Sequence, residues 1–199
     1  MSTSSTDTIT ISRIEMFSDA VIAIIMTLLV LELKVPVVPE SANIQQQLMA
    51  LLPLVPKFLS FAMSFLVIAI FWVNHHSFLN SIHRADAKVL WYNNFLLFWL
   101  CFIPFPTAWI GENIHNTVAV ILYAFTLMMS ALAFQLAVNH AYKTGMFKTH
   151  ISEDEQGRRS RRSYPGILLY GLAMPLALIH PYIAISIFVL LPMLYFIPD

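Results

Sequence analysis

Six apolar stretches separated by polar segments set the rhythm of the chain. The first, residues 13–33 (RIEMFSDAVIAIIMTLLVLEL), opens with Arg13, Glu15 and Asp19. It is then apolar from Ala20 to Leu31 apart from Thr27. A run of this length crosses a ~30 Å hydrocarbon core as a helix. Five further spans are predicted at residues 54–73, 89–110, 117–138, 164–179 and 182–197. Pro36 and Pro39 mark the first loop, which runs on blandly through Gln47. Lys57 and Trp72 stand near the ends of the second span, as interfacial residues do. Asn74, His75 and His76 follow it, and Ser77 to Lys88 reads as a connector. Pro104-Phe105-Pro106-Thr107 predicts a break or bend at the end of the third span, because proline brings no N–H to the helix ladder. His180-Pro181 predicts a tight turn between the last two, short spans. The polar segment 139–163 is left open between helix extension and disorder.

At ~100° per residue, the first helix carries Ala20, Ile24, Thr27, Leu28 and Leu31 on one stripe, with Phe17 and Arg13 below them. Ser18 and Asp19 point elsewhere. An acid within a membrane helix costs ~2.5–3.5 kcal/mol on insertion scales, so Asp19 needs a partner. Arg13 lies six residues away on another face, and Glu15 at i−4 is a like charge, so donors for Asp19 must come from another helix.

Composition agrees with the pattern. The chain is 58% hydrophobic and 11% charged, about half the charge share of a water-soluble domain, so it is read as a single-domain, multi-pass membrane protein over residues 1–199. The formal net charge of zero gives no reason to expect nucleic acid. The single cysteine, Cys101, cannot close an internal disulfide. The first ten residues carry no basic residue, so the first apolar run is read as a retained helix and not as a signal peptide.

Six crossings put both termini on one side. Arg13, Arg84, Lys88, Lys143, Lys148 and the run Arg158, Arg159, Arg161, Arg162 then share that side, against Lys34 and Lys57 on the other. The positive-inside rule makes it cytoplasmic, at the cell (plasma) membrane. Ser18, Asp19, Asn74, His75, His76, Asn93 and Asn94 fall at a similar depth near this end and are expected to share a polar network. That network has two readings: a structural tie between three helices, or a proton-sensing element, since imidazole beside carboxylate titrates near neutrality. A metal site fits poorly, because adjacent His75 and His76 diverge by ~100° on a helix. There is no phosphate loop, hydrolase elbow, HExxH, dinucleotide fingerprint, carbonyl filter or arginine-repeat voltage sensor. No enzyme chemistry and no cofactor are expected. The residues alone stop short of a substrate.

Three motifs in order go further. Arg13-x-x-x-Phe17-Ser18-Asp19, Phe71-Trp72-Val73-Asn74-His75-His76-Ser77-Phe78 and Pro104-Phe105-Pro106-Thr107 resemble the signatures of the endosomal/lysosomal potassium channel family, transmembrane protein 175, and its short prokaryotic homologues. The resemblance implies an all-α channel of six transmembrane helices per chain, assembled as a homotetramer with the first helices around the pore. It implies a potassium-selective, leak-like channel not driven by a voltage sensor. The apolar constriction would be Ile24, then Leu28 and Leu31, with Thr27 affecting selectivity. Arg13, Ser18 and Asp19 would join the cytoplasmic-side network with His75 or His76. The alternatives are a proton-permeable channel and a proton-coupled secondary transporter using Asp19 and the His75/His76 cluster.

Overall fold

The structure, a computed structural model, describes residues 10–149 and 153–194, with the backbone alone for 153–163 and for 194. It is built from helices: α1 (Ile11–Leu28), α2 (Ile44–Met49), α3 (Val55–Ser81), α4 (Ala87–Phe102), α5 (Pro104–Glu112), α6 (Thr117–Lys143), α7 (Glu153–Ile179) and α8 (Pro181–Leu194). A 3-10 turn, Leu29–Glu32, continues α1, and another, Leu52–Leu54, precedes α3. Among the described residues four stretches are long and apolar enough to cross a membrane: Ile11–Glu32, Ile44–Ser81, Ala87–Glu112 and Thr117–Lys143. Tyr164–Ile179 and Pro181–Met193 are shorter apolar helices. The tail of the expected sixth span, 195–197, lies outside the described residues.

The boundaries differ from expectation in ways the chemistry explains. Asn74-His75-His76 do not follow the second helix but lie within it, since α3 runs on to Ser81. Hydropathy places the edge of a bilayer, whereas backbone hydrogen bonding continues the helix until another element competes. Here Ile82 pairs with Phe147, and the chain is tied by His83 N to Met146 O and Lys148 N to Ser81 O, both 2.9 Å. The segment 139–163 also proves largely helical: α6 reaches Lys143, and α7 begins at Glu153. The turn after α6 passes through Gly145 at φ 64°, a left-handed conformation that glycine adopts without a Cβ penalty.

The loop expected to be bland holds α2, whose N-terminus is closed by a capping box between Asn43 and Gln46. The proline break is where it was expected, at Ile103 between α4 and α5. The Thr107 hydroxyl donates to the Ile103 carbonyl at 2.7 Å across the break. Thr107 also pairs with Ser64 at 2.7 Å, and Ser64 with the Tyr123 hydroxyl at 2.9 Å, so a buried hydroxyl chain joins α3, α5 and α6.

Two apolar clusters hold the bundle. The larger joins α1, α3, α4, α6, α7 and α8 through residues such as Ile22, Ile25, Leu29, Ile68, Leu100, Leu127 and Ala177. The smaller closes the end where α1 and α4 begin and α3 and α6 finish, through Ile14, Phe78, Leu79, Ile82, Val89, Ala141 and Met146.

Candidate functional site

The apolar spacing of α1 divides it into two faces. Ile14, Ser18, Ile22, Ile25 and Leu29 are buried, a helical repeat of three and four residues packed on α3 and α4. The opposite face carries Arg13, Phe17, Ala20, Ile24, Thr27, Leu28 and Leu31, all exposed. Ile24 is 58% and Leu31 67% exposed, so this apolar stripe has no cover within one copy of the chain. The Thr27 hydroxyl donates to the Ile24 carbonyl at 2.8 Å. Its proton is therefore committed within the helix, and what Thr27 offers outward is an oxygen acceptor.

The polar groups near the α1 N-terminal end form three anchors, the second and third sharing the Trp72 side chain. The first is buried. Ser18 Oγ lies 3.0 Å from Asn93 Nδ2 and 3.2 Å from Asn93 Oδ1, while His75 Nε2 is 2.7 Å from the same Oδ1. Ser18, His75 and Asn93 are all nearly inaccessible, so α1, α3 and α4 are stitched through one amide. A carbonyl oxygen only accepts, so Nε2 of His75 carries the proton. His75 Nδ1 is buried and finds no partner among the described residues.

The second anchor holds Asp19. Its donor is the indole of Trp72, 2.9 Å from Oδ1. His75, His76 and Asn93, expected among its donors, are engaged elsewhere, whereas Trp72 lies one turn earlier on α3 and faces α1 at the depth of Asp19. Read as an interfacial aromatic, Trp72 gave no other signal of that role. The third anchor pairs His76 Nδ1 with Glu15 at 3.1 Å, with Asn80 Nδ2 at 2.9 Å from the other ring nitrogen and the Trp72 ring stacked on the imidazole. His75 and His76 thus point apart, one inward to Asn93 and one outward to Glu15. Among the described residues no three His, Cys, Asp or Glu side chains converge as metal ligands.

Asn94 and Arg13, both expected in the network, stand outside these anchors. Asn94 is exposed, turned ~100° around α4 from buried Asn93, and Arg13 is exposed on the α1 stripe. Neither side chain makes a hydrogen bond or ion pair among the described residues.

A fourth tie was not anticipated. Asp86 caps α4 by accepting from Val89 N at 2.9 Å and pairs with His140 Nε2 of α6 at 2.8 Å. Burial pulls the Asp86 carboxyl up, but the His140 hydrogen bond, the Val89 N–H and the nearby imidazole together hold it below the ordinary carboxylate range. The cap was foreseeable from an Asp at the start of a helix. The His140 partner, 54 residues away, was not.

The family model for the endosomal/lysosomal potassium channel TMEM175 matches residues 13–104. A potassium channel of Chryseobacterium sp. is 35% identical over 187 residues, covering 94% of this chain and 93% of its own. The crystal structure of a lysosomal potassium-selective channel TMEM175 homolog from Chamaesiphon minutus is similar at a TM-score of 0.80 and 32% identity, covering 93% of this chain and 95% of that one. An endosomal/lysosomal proton channel TMEM175 of Gallus gallus is 29% identical over 134 residues, which is 63% of this chain and 27% of that protein.

Proposed function

This chain belongs to the endosomal/lysosomal potassium channel family TMEM175, and from that premise we propose that it conducts potassium passively through a pore lined by the exposed stripe of α1 from four copies. The observation that carries the reading is that stripe. One side of α1 is sealed by Ile22, Ile25 and Leu29, each at most 2% exposed, while Ile24, Leu28 and Leu31 opposite them lie open. Within one copy the flank formed by Ile11–Glu32 and Ile44–Ser81 is the least covered, 28% and 17% buried against 44% for the other two long spans. Four-fold assembly through this flank covers it and brings the four stripes to an axis.

On that axis a ring of Ile24 side chains makes an apolar neck that closes by dewetting. An ion passing the neck sheds part of its water. Potassium does so at lower cost than sodium, which gives modest selectivity. One turn on, the outward Thr27 oxygen replaces some of the lost hydration as an acceptor. Ser18–Asn93–His75, Asp19–Trp72 and Glu15–His76 hold the back of α1, so that the stripe keeps its orientation. Six crossings with both termini in the cytoplasm of a cell membrane complete the reading. The separation of Arg13, Arg84, Lys88, Lys143 and Lys148 from Lys34 and Lys57 along the bundle supports that orientation.

The coupled-transporter alternative draws no support from the geometry. Asp19, His75 and His76 have different hydrogen-bond or ion-pair partners, Trp72, Asn93 and Glu15, and no two of the three bond to each other among the described residues.

The test is ion flux from liposomes with potassium or sodium as the only gradient. Potassium flux is expected to exceed sodium flux without saturating. Ile24→Asn is expected to raise flux, about tenfold for each ~1.4 kcal/mol removed from the barrier, and to relax selectivity. Unchanged flux removes Ile24 from the neck. A pH gradient as the sole driving force tests the proton-permeable variant, which the name of the Gallus gallus relative motivates.

A further inference from the structure

We infer that Arg13 stands at the mouth of the pore at the α1 N-terminal end, where four copies of its guanidinium deplete cations and make potassium current direction-dependent. The inference rests on the pore reading above and adds a charge that the family resemblance assigned to the anchoring network.

The helix is regular from Ile11, so the register of Arg13 is set by its spacing from the stripe. Eleven residues separate Arg13 from Ile24. At ~100° per residue the two directions differ by only ~20°, and the rise between them is ~16 Å. A helix that aims Ile24 at the axis therefore aims Arg13 at the axis too, three turns nearer the end. Arg13 is also exposed and is the one charged residue of the stripe Arg13, Phe17, Ala20, Ile24, Thr27, Leu28, Leu31.

Among the described residues, the acids of this end and two of its cations are engaged elsewhere, while Lys88 and Lys143 are exposed at the start of α4 and the end of α6. Glu15 faces α3 and pairs with His76, and Asp19 accepts from Trp72. Asp86 is held by His140. Arg84 donates to the Thr144 carbonyl, and Lys148 to the Asn80 carbonyl. The described acids of this end are thus engaged away from the stripe, on which Arg13 is the charged residue. The opposite end of α1 finishes in Glu32, beside the Lys57–Glu112 pair at 3.7 Å. Lys34 is exposed in the loop beyond the helix, and the stripe itself carries no positive charge toward that end. The two mouths differ, so conduction differs with direction.

The effect is electrostatic and acts through solvent, which makes it testable by salt. The screening length is ~10 Å at 0.1 M and ~3 Å at 1 M. Four charges around a narrow mouth are expected to lower potassium entry there about two- to three-fold at ~0.1 M and very little at ~1 M.

The experiment is single-channel recording in symmetric KCl at ~0.1 M and ~1 M, reading the ratio of currents in the two directions, which needs no knowledge of how each channel inserted. The wild type is expected to be asymmetric at low salt and nearly symmetric at high salt. Arg13→Gln is expected to lose the low-salt asymmetry with unchanged high-salt current, and Arg13→Lys to keep it. If Arg13→Gln matches the wild type at low salt while Ile24→Asn still alters the current, the inference fails and the pore reading stands. If neither substitution moves the current, the pore reading fails as well. If Arg13→Gln assembles poorly, the wild type and Arg13→Lys carry the test: asymmetry that does not respond to salt overturns the inference.

Discussion

Asn93 is the residue through which α1, α3 and α4 are joined. One amide satisfies Ser18 and His75, both buried, so removing it leaves two polar groups without water or partner. Such a loss costs about 1–3 kcal/mol. Asn93→Ala is therefore expected to lower the thermal unfolding midpoint of the detergent-solubilised protein, whereas Asn94→Ala, one position on and exposed, is expected to leave it within about 0.5 kcal/mol of wild type. Equal effects at the two positions would contradict this assignment. Thr27 makes the converse point. Its single proton goes to the Ile24 carbonyl, so Thr27→Val removes an outward acceptor at little structural cost. Reduced potassium preference over sodium, with normal assembly, is the expected readout in flux measurements.

At the scale of elements, two close approaches set how the helices sit. A Cβ at Gly111 would lie 2.7 Å from Ser60 Oγ and 3.1 Å from the Lys57 Cα, so α5 and α3 touch backbone to backbone there. Gly111→Ala forces them apart, and overpacking of this kind costs about 1–3 kcal/mol. Thermal unfolding measures it. At the other end Asp86 ties the start of α4 to His140 of α6. The folded carboxyl is held below its ordinary value, so its contribution is present above the unfolded carboxylate pKa of ~3.9 and is lost as pH falls through the folded value. Asp86→Asn keeps a capping side chain but not the charge. It is expected to be less stable than wild type at neutral pH, with the gap closing below about pH 4. A gap that persists in acid would mean that the loss does not come from the carboxylate charge.

For the molecule as a whole, the decisive property is assembly. A single chain leaves the α1 stripe open, and a pore of the proposed kind exists only where stripes meet. Native mass spectrometry is expected to find four copies, and single cysteines at position 24 or 31, in a background lacking Cys101, to cross-link between copies. Cysteines at the buried positions 22 and 25 are expected not to. Conduction by isolated monomers would remove the axial reading, and with it the roles given to Ile24 and Arg13.

Much of the architecture was legible in the sequence, because the forces behind it are local or one-dimensional. Apolar run length, proline at Pro104 and Pro106, and the periodicity of α1 each act through nearby backbone or through partition into a bilayer, and the helices lie where those signals placed them. The three motifs carried the family. Helix ends beyond the apolar edges were not legible: α3 and α6 continue through polar residues because the α3–α4 and α6–α7 connections pair with each other, a contact between segments some 65 positions apart. The partners of the polar residues were also decided only by packing. Asp19 takes Trp72 instead of a histidine, His76 takes Glu15, and Asp86 takes His140, since which donor reaches which acceptor depends on the rotation and offset of neighbouring helices. Periodicity put Arg13 in line with Ile24, and the regular first turns of α1 keep it there. The sequence by itself thus determined which faces exist, and the tertiary structure decided which of them are covered.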